Sequence, residues 1–266
     1  MEYEALPAVL APADALADGA PVLHPDAASY RFLRGDRPSF PHPKPSGIRG
    51  AFSAVLGAIG SWIADGSLWG HLGVSATEFA LGFVLAAGVA IGLGLLIGTS
   101  RIAKQLLDPW VSALYATPLV ALAPYFIILF GIYLAPKVAL VFVVSLFPIL
   151  INPFVGVRST DDTYLEVARS FSTPRLAVFY KILIPGALPF IVSGLRLGVG
   201  RGLTAVVVGE IFVPNAGIGY LISVASQTFN TANLFAGVAI FAVAGLVLTE
   251  LLQRAEAMLA PWRATT

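Results

Sequence analysis

The side chains able to do chemistry are few and unevenly placed. Arg196, Arg201 and Glu210 fall in one otherwise apolar run, 187–213. An ionisable residue at mid-bilayer costs roughly 2.5–3.5 kcal/mol on insertion scales, so it faces a bundle interior, a polar path or an interface. Arg196 lies near one end of the run, where a long side chain can snorkel to the interface. Arg201 lies deeper and suits a polar path or a partner carboxylate. An arginine on a path would favour an anionic solute. Glu210, near the other end, suits a structural hydrogen bond as well as a solute contact. Glu78 opens an earlier apolar run and reads as interfacial, while Glu250 ends the last one.

The other candidates exclude more than they offer. His24, His42 and His71 are isolated and lack metal-ligand spacing. The chain has no cysteine, hence no disulfide framework and no thiolate metal site. No Ser/His/Asp or paired-carboxylate site can be argued, so no catalytic residue, metal or cofactor is expected. Gly198, Gly200 and Gly202 follow no strand and sit in an apolar helix, unlike a phosphate loop. Gly194, Gly198 and Gly202 recur every four residues, as do Gly88/Gly92 and Gly94/Gly98. Small residues at that spacing let helices approach closely. The net charge of +1 gives no basic surface for nucleic acid.

The richest polar stretch separates two apolar runs, from Tyr164 to Pro189, and gathers Glu166, Arg169, Arg175 and Lys181. Asp162 or Thr163 can cap a short helix through Ser170, which Phe171 and Ser172 leave. Thr173 then suits an N-cap and Pro174 a first-turn position for a second helix. That helix is expected to run toward Ile184 and stop at Pro185. Leu176, Phe179 and Tyr180 lie three or four apart and form one apolar face. The stretch reads as a helix–turn–helix knob, either a docking element or an ordinary loop.

The elements around these residues are membrane-grade. The 266-residue chain is 57% hydrophobic and 12% charged, with a mean hydropathy of +0.83. A soluble domain carries roughly 25% charged residues. A spanning helix needs about 20 apolar residues. Five runs qualify: 79–100, 109–136, 138–157, 187–213 and 232–249. They are continuous rather than alternating, which favours helices over a β-barrel. The expected fold is an all-α integral membrane protein with about five transmembrane helices. Residues 1–48, rich in Pro, Asp and Ala, read as an irregular tail without a cleavable signal pattern. The stretch 49–70 holds a short apolar run with Trp62 and Trp69, which suits an interfacial helix or a re-entrant segment.

Lys and Arg in short loops set orientation. Arg101, Lys104, Arg158, Arg169, Arg175, Lys181, Arg254 and Arg263 fall on one side, and only Lys137 on the other. This bias puts the 158–186 loop and the 253–266 tail in the cytoplasm. Five spans then put the N-terminal tail outside, although its Arg31, Arg34, Arg37, Lys44 and Arg49 argue the other way.

The polar stretch resembles the "EAA" loop of bacterial ATP-binding-cassette (ABC) importer permeases, type I, whose pattern is Glu-Ala-Ala, a glycine, then Ile-x-Leu-Pro. Glu166-Val167-Ala168 takes the first place and Ile182-Leu183-Ile184-Pro185 the last, with Ser172 where the family has glycine. Further segments resemble the sulfonate/nitrate/taurine/bicarbonate branch: Leu68-Trp-Gly-His-Leu72, Leu107-Asp-Pro109, Pro118 to Pro124, Leu129-Phe-Gly-Ile132, Phe147-Pro-Ile149 and Gly217-Ile-Gly-Tyr-Leu221. The resemblance covers about residues 65–252. It implies a multi-pass subunit of the bacterial inner membrane, with its transmembrane domain over 71–252. It implies a coupling loop carried by Glu166, Ala168, Ser172, Leu176, Phe179 and Pro185. It also implies partners: cytoplasmic ABC ATPase subunits, an extracytoplasmic solute-binding protein and a second permease copy, all in membrane lipid. With no Walker-type sequence in this chain, ATP would be hydrolysed by a separate subunit. The resemblance points to a small anionic solute, with Arg201 and Glu210 as candidate path residues. The alternatives are a secondary transporter using Arg201 and Glu210 as coupling charges, and a membrane-embedded enzyme.

Overall fold

A computed structural model describes residues 48–259, and every element among them is helical. The tail expected over 1–48 lies outside the described residues, except that Ile48 begins a helix. In chain order the elements are α1 (Ile48–Ala64), α2 (Ser67–Thr99), α3 (Arg101–Ala116), a 3₁₀ turn (Leu119–Leu122), α4 (Ala123–Phe130), α5 (Leu134–Arg158), α6 (Asp162–Ser170), α7 (Arg175–Val178), a π turn (Phe179–Leu183), α8 (Ile184–Phe212), α9 (Ile218–Gln227) and α10 (Thr231–Leu259).

Four helical stretches are long and apolar enough to cross a membrane: Ser67–Thr99, Leu134–Arg158, Arg175–Phe212 and Thr231–Met258. The second expected span, 109–136, is not one helix. Gln105–Ala116 and Leu119–Phe130 meet at 82°, forming a broken span or a re-entrant loop. The cause is local. Pro118 disfavours helical backbone at Thr117, which sits extended at φ −76° and ψ 138°. Pro124 opens α4, and Gly131 closes it at φ 81°.

The centre of the bundle is α5, packed between α2 and α8. Its Leu140, Val141, Ile149 and Leu150 are almost fully enclosed. Small residues make that approach possible. An added Cβ at Gly94 would strike the Leu150 carbonyl, and one at Gly198 would lie 2.5 Å from Ile149. Gly194 and Gly202 pack on the same helix, against Asn152 and Ser145. Gly88 and Gly92 meet no other element among the described residues of this chain. They fall on the outward face of α2 (Gly82, Ala86, Ala90 and Gly94 form the buried one).

The helix α1 rests on the bundle through Ala58 and Trp62, which cluster with Leu68, Ile218 and Ala236, while Trp69 stays exposed. An Asp65-Gly66 turn joins α1 to α2, with Gly66 at φ 76° and the Asp65 carboxylate accepting from the Ser67 backbone N–H at 2.9 Å. At the other terminus, helix continues through Leu259, so the first part of the expected 253–266 tail is helical; residues 260–266 lie outside the described residues.

Candidate functional site

The polar stretch folds into two helices. Asp161, not Asp162 or Thr163, is the N-cap of α6, accepting from the Thr163 backbone N–H at 2.8 Å. The Thr163 hydroxyl and N–H beside it hold the Asp161 carboxyl below the usual carboxylate range. At the far end Ser172 stands at φ 52°, the left-handed region. Its N–H donates to the Arg169 carbonyl at 2.9 Å, and the Thr173 N–H to the Ala168 carbonyl at 2.9 Å. This is a Schellman ending with serine at the position usually held by glycine. Ser172 therefore keeps the left-handed turn, at a steric cost on the order of 1–2 kcal/mol.

The second helix departs from expectation at both ends. Its cap is Pro174, and Thr173 lies outside it. Nor does Pro185 stop it. A π turn over Phe179–Leu183 carries the chain directly into α8, with the Ile184 N–H donating to the Phe179 carbonyl. Proline lacks an N–H and its ring clashes with the carbonyl four residues back. The wider π turn relieves that clash, and Pro185 sits in the first turn of α8, where its missing donor costs least. The loop and the α8 span are thus one continuous helical rod, Arg175–Phe212.

The expected apolar face is split. Leu176 and Tyr180 are exposed, together with Tyr164, Val167 and Phe171. Phe179 turns inward and packs beside Leu95, Val157 and Ala187 at the base of the bundle, meeting Tyr180 edge-on with centroids 5.2 Å apart. Ala168 is buried under the knob, and Glu166 is exposed on its surface. Between α6 and α7 lies an open groove of about 870 Å³, lined by Leu165, Arg169, Leu176 and Phe179, with Thr99 at the end of α2 beneath it.

Of the three charges in α8, Arg196 reaches Glu256 of α10 at 3.4 Å instead of snorkelling freely. Arg201 is exposed on the outside of the single-chain bundle, with Leu197, Gly200 and Thr204 on the same face. Among the described residues it has no carboxylate within ion-pair distance. Glu210 lies elsewhere, fully buried. It accepts from the Ser75 hydroxyl at 2.5 Å and from the Gly219 N–H at 2.5 Å.

Beside Glu210 lies a site that sequence patterns did not point to. Glu78 faces the bundle interior. It sits about three turns inside α2, 1% exposed, and pairs with Lys137 Nζ at 2.8 Å. Lys137 also donates to the Asn215 side-chain carbonyl at 3.0 Å. The Ser75 hydroxyl accepts from the Ile218 N–H at 2.9 Å, and His71 Nδ1 accepts from the Gly217 N–H at 3.1 Å. These residues come from α2, α5, α8 and the 213–217 connection. The sole hint in sequence is Lys137, a cation between two apolar runs.

Comparison with known proteins decides the family. Residues 88–264 match the binding-protein-dependent transport system inner membrane component family. The chain belongs to this family. A Bacillus subtilis protein described as a putative aliphatic sulfonates transport permease, SsuC, is 37% identical over 76% of this chain and 73% of its own length. The taurine transport system permease protein TauC of Escherichia coli is 29% identical over 83% of this chain and 79% of its own. The nitrate import permease protein NrtB of Leptolyngbya laminosa is 31% identical over 72% and 68%. Among solved structures, a chain of the inward-facing MetNI methionine ABC transporter covers 74% of this chain and 96% of its own, with a TM-score of 0.57 at 18% identity. A chain of an amino acid ABC transporter gives a TM-score of 0.55 at 16% identity, covering 79% and 96%. These two establish shared fold only. The permease is a multi-pass, non-catalytic membrane component of an ABC importer.

Proposed function

We propose that the permease couples to a cytoplasmic ATPase through the 162–183 knob and carries a small anionic solute. The observation that carries this reading is the set of exposed apolar side chains on the knob. Tyr164, Phe171, Leu176 and Tyr180 are each more than 60% exposed, the first two on the polar loop and the last two in the opening turns of the Arg175–Phe212 rod. Exposed aromatic and aliphatic groups rimmed by charge mark protein interfaces. The rod Arg175–Phe212 then supplies a lever, because movement at the knob is transmitted into α8 without a hinge at Pro185.

The path would run along the outward α8 face that carries Arg201. One copy has too few spans to enclose a channel, so a second copy completes it. An extracytoplasmic binding protein would deliver the solute to the end away from the knob. The solute class rests on the sulfonate, taurine and nitrate permeases among the relatives, and on a cation facing the path. The excess of Lys and Arg near the knob and the last helix supports a cytoplasmic knob and C-terminus.

The test pairs capture of the ATPase with uptake into vesicles. Leu176→Asp and Glu166→Ala should weaken ATPase capture or uncouple hydrolysis from uptake, by about 30-fold for a central apolar contact. Membrane level should be unchanged, since both side chains are exposed. Wild-type capture and uptake in both variants would remove the knob as the coupling element. Arg201→Leu should lower anion uptake with ATPase capture intact; full uptake would take Arg201 off the path.

A further inference from the structure

The buried site at the end of the bundle away from the knob contains more acid than base. Glu78 and Glu210 are 1% and 0% exposed, and Lys137 is 2% exposed. His71 accepts a hydrogen bond at Nδ1 and so presents a neutral ring there. Asn215 and Ser75 carry no charge. The helix α9 supplies only the N–H groups of Ile218 and Gly219. Neither α4 nor residues 231–249 of α10 contain Asp, Glu, His, Lys or Arg. With both carboxyls ionised, the enclosed site would hold one uncompensated negative charge. Burying an unpaired charge costs several kcal/mol.

The hydrogen bonds point to the remedy. Glu78 Oε1 receives the Lys137 ammonium, but Glu78 Oε2 is buried and receives no N–H or O–H donor. Glu210 lies beside it, because Ser75, which donates to the Glu210 carboxyl, stands three residues before Glu78 on the same face of α2. Two ionised carboxylates cannot bond to one another, whereas a carboxyl and a carboxylate can, as in a like-charge pair that shares one proton.

We propose that Glu78 and Glu210 share a single proton, which makes the Glu78–Lys137–Glu210 site a neutral clasp. The clasp fixes the 213–219 segment to α2, α5 and α8. Glu210 and Ser75 together take the first two N–H groups of α9, so the clasp also caps that helix from outside its own sequence. This is a positioning role, separate from the coupling knob and from Arg201, and does not depend on which solute is carried.

The test is infrared spectroscopy of the whole protein in lipid vesicles at neutral pH. A protonated carboxyl shows a carbonyl stretch distinct from carboxylate. Wild type should show one such band from a site slow to exchange with solvent. Glu78→Gln and Glu210→Gln should each abolish it, because either leaves one carboxylate opposite Lys137 and no need for a proton. Thermal unfolding runs alongside: each single variant should unfold near wild type, and the double variant, which strands Lys137, well below both. Absence of the band in wild type overturns the proposal, and that measurement holds even if a variant fails to fold. A band that survives in either single variant also overturns it.

Discussion

At the knob, Tyr164, Phe171, Leu176 and Tyr180 stand in the open, with no helix among the described residues covering them. At the opposite end, Glu78, Lys137 and Glu210 are buried among four segments, with Glu78 paired to Lys137 and Glu210 accepting from Ser75 and the Gly219 N–H. A soluble protein usually arranges the reverse, with apolar groups inside and charges outside. Each inversion has a cost that something must offset. The proposed docking role would offset the exposed apolar knob, and the proposed shared proton the charge of the buried polar clasp. The difference separates what the chain needs in order to assemble from what it needs in order to fold. The two ends are joined by α8, which starts at the knob and ends at Glu210.

The largest test of that contrast is Lys137→Met. It leaves two facing carboxyls without a cation in a site closed to water. Removing one partner of a buried pair costs about 3–5 kcal/mol. The variant should lose most of its folded yield and unfold at markedly lower temperature in detergent. The double variant Lys137→Met, Glu78→Gln should recover much of the loss, so the two changes are strongly non-additive. Leu176→Asp at the knob should move the same unfolding curve by no more than about 0.5 kcal/mol. Equal effects at the two ends would end the comparison.

Two left-handed residues refine it. Gly217 stands at φ 116°, and an added Cβ would collide with the Glu210 carboxyl. Gly217→Ala should therefore cost about 1–3 kcal/mol and disturb the clasp. Ser172 already accepts a left-handed backbone at the knob, where the side chain points into open surroundings. Ser172→Gly should leave global unfolding unchanged and slow hydrogen exchange at Thr173 by a factor of about 5–30. A large loss of global stability from Ser172→Gly would show the knob to be part of the folding core.

These contrasts track what was legible in the sequence. Apolar run length located α2, α5, α8 and α10, because lipid demands continuous apolar helix and little else can supply it. The polar stretch, with Asp162 or Thr163 as cap candidates and an exit at Phe171 and Ser172, located the knob because those signals are local, although the cap itself is Asp161, just before them. The break at Thr117-Pro118 was equally local, but it was hidden inside an uncharged run long enough to cross. The π turn was missed because Pro185 reads as a stop, and only the wider turn before it lets the helix continue. The clasp was not legible. Glu78 and Lys137 are 59 residues apart, and Ser75 and Glu210 are 135 apart, so no spacing rule joins them.

The smallest effect belongs to Asp161, at the entrance to the knob. Its carboxylate caps α6, and the Thr163 hydroxyl and N–H keep its pKa below the usual range. A lowered pKa in the folded state means that the cap's contribution is in place above the unfolded carboxylate range. It is lost as pH falls through the lowered value. Near neutral pH the cap is therefore constant, and its removal must be made by mutation. Asp161→Ala should speed amide exchange in the first turn of α6 and slightly weaken ATPase capture. Asp161→Asn, which retains an accepting oxygen, should leave both close to wild type. A carbon-detected NMR titration should find the Asp161 midpoint below that of an unperturbed aspartate, and Thr163→Ala should move it back up. An ordinary midpoint in wild type would mean that neither the Thr163 hydroxyl nor its N–H holds the Asp161 carboxylate in the cap.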